Sequence, residues 1–263
     1  HRGEGGEAPG AEARPRAAEE RIAAAPAEVE AAWDALESVR LDRAHLGRSR
    51  VISFGRTDPA HSAFDMLRTR LMQALREKGW SRVGITSPTK GCGKTFVAAN
   101  LAISLARQSR CRTLLMDLDL RVPNLAKTLG IRGRRSIREL LTGEAAAEDF
   151  LLRPVPNLAV GLNTRRMRNA AEFLQDPETI AVLDGLQARF APDVVLYDLP
   201  PMLACDDVVG FLPQIDGLLL VIGGGITRAD EVSKCERLIE QHGPLLGVIM
   251  NRAEDPAMGR YTY

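Results

Sequence analysis

The chain lacks an excess of either charge: 35 Lys and Arg stand against 34 Asp and Glu, a formal net charge of +1 over 263 residues. No global field points to nucleic acid or an acidic membrane, so nucleic acid is not an expected partner and binding must be argued from local sites. Cysteine is scarce, and Cys92, Cys111, Cys205 and Cys235 show no paired metal-like or redox-like spacing. That usage suits a reducing compartment, and a cytoplasmic location is expected. No stretch approaches the roughly 18 consecutive apolar residues that a membrane-spanning helix requires, and the start has no signal-peptide pattern. The chain opens on His1 rather than Met, as an excised fragment would, so an upstream membrane segment is compatible with it. His1, His45, His61 and His242 are scattered without metal-ligand spacing, and no internal repeat is visible.

Large apolar side chains are nearly missing from residues 1–30, which are rich in Ala, Glu, Arg, Gly and Pro. Such a segment buries too little surface to offset its ordering entropy and is expected to be a disordered linker. A helical or irregular lead-in is expected over 31–60. Between Val29 and Leu46, the residues Val29, Trp33, Leu36 and Val39 fall at near-helical spacing, which favours a helix packed on its own domain over one reserved for a partner. The main domain is expected over 61–252, followed by a tail, 253–263, that carries Tyr261 and Tyr263.

Within 61–252, apolar runs alternate with helical patterns. Strands are expected at Val83 to Thr86, Thr113 to Asp117, Leu158 to Leu162, Val194 to Asp198, Leu218 to Ile222 and Leu245 to Met250. Helices are expected near 62–79, 95–108, 178–190 and 228–241. Buried β-rich runs alternating with helices predict an α/β fold, a mostly parallel sheet with helices on both faces.

Three strand ends carry chemistry. The first runs into Ser87-Pro88-Thr89-Lys90-Gly91-Cys92-Gly93-Lys94-Thr95 and then an Ala-rich helix, the context that a phosphate-binding loop requires. Gly91 and Gly93 free backbone N–H groups to turn onto phosphate oxygens, Lys94 brings a point charge, and the Thr95 hydroxyl can ligate Mg²⁺. Lys90, Cys92 and Phe96 complete the expected nucleotide-binding stretch. Pro88 replaces the usual first glycine, and Cys92 is read as a tolerated small residue. The second strand ends in Asp117-Leu118-Asp119-Leu120-Arg121, where alternation points both acids to one side at the carboxyl edge of the sheet, the ligand edge of an open α/β fold. The competing structural role is a turn cap paired with Arg121. The third, Val194 to Asp198 before Pro200-Pro201, has the pattern of a Walker B carboxylate. Asp206 and Asp207 follow as candidate γ-phosphate sensors. Together the motifs predict ATP with Mg²⁺, the ion held by Thr95 and Asp198.

With these pieces assembled, the chain resembles the bacterial tyrosine kinases of capsule and exopolysaccharide synthesis, P-loop NTPases of the MinD/ParA-like subclass. The resemblance covers about residues 60–252. It rests on the phosphate loop, Asp117-x-Asp119-x-Arg121-x-Pro123, Ser136 to Gly143, Asn169-Ala170-Ala171-Glu172-Phe173-Leu174, Asp198-x-Pro200-Pro201 and Gly247-Val248-Ile249-Met250-Asn251. It implies phosphoryl transfer from MgATP to tyrosine, with Lys94, Asp117, Asp119 and Asp198 catalytic. Asp119 would join Asp198 and Thr95 in holding Mg²⁺, Asp117 would be the base, Asn251 would read adenine, and Tyr261 and Tyr263 would be acceptors. It also implies a membrane-anchored polysaccharide co-polymerase or activator segment as partner, a place at the inner face of the cell membrane, and assembly into a homo-oligomer. Two departures bear on this. The family's assembly helix, Glu-x-x-Arg-x-x-Arg, reads Ser62, Asp65 and Arg68 here, and its tyrosine-rich tail has shrunk to two tyrosines. Two other readings stay open: a MinD/ParA-like switch ATPase, although the position of its signature lysine is Thr89 here, and a non-catalytic ATP-binding regulator of polysaccharide export.

Overall fold

The computed structural model describes residues 24–51, 60–133 and 135–253. Its strands are β1 (Glu37–Ser38), β2 (Arg82–Thr86), β3 (Thr113–Asp117), β4 (Leu152–Val155), β5 (Leu158–Gly161), β6 (Val194–Asp198), β7 (Gly217–Gly223) and β8 (Leu245–Asn251). The helices are α1 (Pro26–Ala35), α2 (Arg43–Arg48), α3 (Ala60–Lys78), α4 (Lys94–Ala106), α5 (Leu125–Leu129), α6 (Ile137–Leu141), α7 (Ala147–Phe150), α8 (Ala170–Gln175), α9 (Pro177–Phe190), α10 (Asp207–Phe211) and α11 (Ala229–His242). The strands form one sheet in the order β1-β4-β5-β3-β6-β2-β7-β8. Every pairing is parallel except β4 with β5.

Alternation along the central strands divides the core in two. Leu114, Met116, Val195, Tyr197, Leu218 and Leu220 face one apolar layer, shared with α1, α9 and α11. Leu115, Val194, Leu196, Leu219 and Val221 face the other, where the almost wholly buried α4 lies with α3. A strand buried on both faces has no polar side, so these strands read as continuous apolar runs. The same parallel arrangement sends the loops after β2, β3, β5 and β6 to one edge of the sheet.

Several elements differ from expectation, among them the short helices α5, α6, α7, α8 and α10, which no expected helix covers. Helix α1 starts at Pro26, inside the stretch expected as linker, because Pro is preorganised for a helix's first turn and the helix finds a surface to bury Val29 and Trp33. The rest of that stretch, through residue 23, lies outside the described residues, as does the tail from 254 on. Strands β1 and β4 were not foreseen: β1 has two exposed residues, and β4 is half-buried and carries Pro154, so neither has a periodic signal. The hairpin that joins β4 to β5 through Pro156-Asn157 was a readable turn signal.

Trp33 fastens α1 to the body. It is buried, its Nε1 donates to the Phe190 carbonyl at 2.7 Å, and its ring meets Phe190 edge-on at 6.2 Å. Trp33→Ala should cost about 3–5 kcal/mol of unfolding free energy by urea denaturation, and Trp33→Phe distinctly less, because most of the apolar fill remains. An unchanged midpoint for the alanine variant would mean that α1 adds nothing to the fold.

Candidate nucleotide site

The turn from β2 into α4 is fixed by its neighbours before any side chain acts. Thr86 Oγ1 donates to the Pro200 carbonyl at 2.6 Å, Met202 N to the Ser87 carbonyl at 2.8 Å, and Leu203 N to the Pro88 carbonyl at 3.1 Å. The loop after β6 therefore pins the loop after β2, and Pro88 in place of glycine leaves this bonding intact. Gly91 and Gly93 take φ of 87° and 93°, a region L side chains rarely adopt. A Cβ on Gly93 would lie 2.2 Å from Asn251 Nδ2, which itself donates to the Cys92 carbonyl at 2.8 Å. Asn251, at the end of β8, thus closes the loop from the far side of β7. Cys92 is fully buried, its thiol donating to the Thr89 carbonyl, and Lys90 stands exposed at the tip. Phe96 is half-buried against Phe64, edge-on at 5.8 Å.

Lys94, the first residue of α4, brings the three strand ends together. Its Nζ lies 2.9 Å from Asp119 Oδ2 and 3.1 Å from Asp198 Oδ1, and Thr95 Oγ1 donates to Asp198 Oδ2 at 2.6 Å. Burial works against the Lys94 charge, yet the Asp198 and Asp119 carboxylates outweigh it and hold its pKa above the ordinary lysine value. Asp198 is raised by burial, held back by Lys94 and by the Thr95 hydroxyl. Asp119 also accepts from Val122 N at 2.9 Å, closing the turn after β3.

Asp117 stands beside Asp198 in the β3–β6 register and is fully enclosed. Its Oδ2 accepts from Leu125 N at 3.0 Å, while Oδ1 has no partner. Burial first, and the Asp198 charge second, push its pKa well above the carboxylate range, only partly offset by the Leu125 N–H and Lys94. Asp206 and Asp207 are drawn to Arg121 instead of to this group. Buried Asp207 takes Arg121 Nε and Nη2 at 2.8 and 2.7 Å, and exposed Asp206 lies 3.9 Å away. Sequence reasoning missed that pair, having weighed Arg121 against the acids of its own turn.

The donor set fits magnesium: two carboxylates from adjacent strand ends and one hydroxyl are hard oxygen ligands, few enough to leave room for water and phosphate. Among the described residues no group of three His, Cys, Asp or Glu forms a closed metal cage. Tyr261 and Tyr263 lie outside the described residues. Arg68, the position that keeps the assembly-helix residue, is spent within its own chain, donating to Asp65 Oδ1 at 2.7 Å and to Ser104 Oγ at 3.2 Å.

Residues 83–262 match the model of the CobQ/CobB/MinD/ParA nucleotide-binding domain. The tyrosine-protein kinase YwqD of Bacillus subtilis (strain 168) is 30% identical over 199 residues, which cover 75% of this chain and 83% of YwqD. The chain belongs to the tyrosine-kinase branch of that nucleotide-binding family. The putative tyrosine-protein kinase EpsB of Ralstonia nicotianae (strain ATCC BAA-1114 / GMI1000) is 32% identical over 208 residues, 78% of this chain but only 27% of EpsB. The chain thus spans about a quarter of that relative's length. Among solved structures, the kinase domain of the Escherichia coli tyrosine kinase ETK matches with a TM-score of 0.65 at 28% identity, over 77% of this chain and 79% of that one. Nucleotide binding in general follows from the family.

Two outcomes follow from the geometry. Gly93→Ala should cost about 1–3 kcal/mol through backbone strain alone, read as a lower unfolding midpoint together with weaker uptake of a fluorescent ATP analogue. Restoring space with Asn251→Ala in the same chain should recover only the steric part. Because the folded state holds the Asp117 proton more tightly than the unfolded state does, stability is lost as pH rises above the ordinary carboxylate value of about 4. Asp117→Asn should therefore melt higher than the parent at mildly alkaline pH, with the gap closing towards acid; a constant or reversed gap contradicts the assignment.

Proposed function

We propose that the chain is the ATP-dependent protein-tyrosine kinase domain of a system that makes or exports capsule or exopolysaccharide. The observation that carries this reading is the convergence of Lys94, Thr95, Asp119 and Asp198, from a helix start and two neighbouring strand ends, beneath a glycine turn. In this reading the amides of Gly91 through Thr95, with Lys90 and Phe96 beside them, would cradle the triphosphate, and Asn251 would read the adenine. Lys94 supplies its charge to the phosphates, and Thr95, Asp119 and Asp198 hold magnesium. The ion, when bound, neutralises phosphate oxygens as charge shifts during transfer. Asp117 is the proposed base: its Oδ1 is free of a partner, while the Leu125 amide fixes the other oxygen. Catalysis of this kind is mostly positioning and charge neutralisation, which suits a site of fixed dipoles with no nucleophile of its own.

Tyr261 and Tyr263 are the proposed acceptors. Tyr261 lies ten positions after Asn251, and at about 3.3 Å per extended residue that stretch can span roughly 33 Å, enough to enter a neighbouring copy. Residues Ser62 and Asp65 depart from the family's assembly helix and Arg68 is bound internally, so a homo-oligomer would rest on other contacts. No described helix is long and apolar enough to cross a membrane. Attachment at the inner face of the membrane is therefore assigned to a membrane-anchored co-polymerase or activator segment, fused or separate.

The test is to incubate the protein with MgATP, with and without such a segment, and to map phosphate by mass spectrometry. Phosphotyrosine is expected at Tyr261 or Tyr263, falling on the order of a hundredfold or more in Lys94→Ala, by analogy with loss of an electrostatic donor. Steady ADP release with no phosphotyrosine would favour the switch-ATPase reading, and binding without turnover would favour the regulator.

A further inference from the structure

Two loops beside the nucleotide site carry a concentration of arginine that none of the roles above uses. Arg165, Arg166 and Arg168 lie on the loop after β5, and Arg132, Arg135 and Arg138 lie on the segment between α5 and α6 and at the start of α6; all six are exposed. The loops are joined: Thr164 Oγ1 donates to the Arg135 carbonyl at 2.8 Å, Asn163 Oδ1 accepts from Ile137 N at 3.5 Å, and a Cβ on Gly133 would lie 2.4 Å from the Thr164 methyl. None of the six side chains makes an ion pair or hydrogen bond with a described residue. Glu139, the acid nearest in sequence, is engaged with the Ser136 amide in the cap of α6. In a chain of net charge +1 this is a local excess, not a share of a general one.

Its position gives the excess a use. Strand β5 runs parallel to β3, so the loop after β5 leaves from the edge that holds Lys94. The Met167 amide donates to the Leu120 carbonyl at 2.8 Å, which ties this loop to the turn between Asp119 and Arg121. Any polypeptide that brings a hydroxyl to the phosphate site from this side passes over six exposed guanidinium groups. Guanidinium groups pair with carboxylates in a two-pronged geometry and raise the local concentration of an acidic chain.

We propose that the two arginine loops form a docking surface for acidic polypeptide, selecting protein substrates whose acceptor tyrosine is flanked by Asp and Glu. This rests on the kinase reading for its purpose but not for its binding. In the chain's own tail Arg260 adjoins Tyr261 and the acids, Glu254 and Asp255, stand six or more positions away, so the proposed occupant is a separate chain with acids beside its tyrosine.

The test separates binding from turnover. A fluorescent Glu-rich peptide with Phe in place of Tyr is titrated by anisotropy against the intact protein and against a triple variant, Arg165→Ser, Arg166→Ser and Arg168→Ser. The affinity should fall about tenfold or more in the serine variant, fall less when the same positions are Lys, which keep the charge but not the two-pronged pairing, and weaken with added salt. Magnesium–ATP affinity should stay unchanged in both, which also verifies that the variants fold. With a Glu,Tyr copolymer as substrate, KM should rise in the serine variant while kcat holds. Intact peptide binding without phosphotyrosine would sustain the docking surface while removing the kinase reading. The proposal is overturned if the serine variant binds the peptide as well as the parent does. It is equally overturned if the six arginines retain phosphatidylglycerol vesicles and discriminate no peptide, since the surface would then face lipid.

Discussion

One ammonium group organises the edge of this sheet where ligands are held. Lys94 lies within 3.1 Å of carboxylates from both β3's turn and β6, and those two strands are neighbours in the sheet. Without it, Asp117, Asp119 and Asp198 would place three acids against one another in a region with almost no solvent, an arrangement in which they could not all ionise. The backbone does the positioning. Strand β2 lies beside β6, β6 beside β3, and the helix that starts with Lys94 is buried along nearly its whole length, so the charge cannot drift. An order of strands that separated β6 from β3 would leave the same residues without a shared site.

The arrangement sets stability against function. Asp117 is enclosed with one oxygen unpartnered, a choice that packing alone would not favour. The glycine turn holds two residues at positive φ and is braced from two sides, by the loop after β6 and by Asn251 of β8. Such bracing is what a preorganised phosphate site requires, because amides that must reorient on binding lose much of their electrostatic value.

The features legible in the sequence share one property: each is local. The six expected strands are present because each is a short apolar run with a breaker at its end, and Lys94, Thr95, Asp119 and Asp198 could be chosen because each sits at such an end. The parallel sheet itself followed from alternation. What stayed hidden depends on residues far apart in the chain. Arg121 meets Asp207 across 86 positions, and Asn251 reaches Cys92 across 159. The arginines of two loops form one surface only because β5 and β3 are adjacent. Strands β1 and β4 were missed because an edge strand is stabilised by its neighbour and not by its own pattern.

Calorimetric titration of ATP into the protein tests the central claim most directly, run once with magnesium and once with a chelator. The account predicts saturable binding at a single site that weakens markedly when magnesium is withdrawn and again when Asp198 is replaced by Asn. Heat of binding that is absent, or that is indifferent to both magnesium and Asp198, would contradict it.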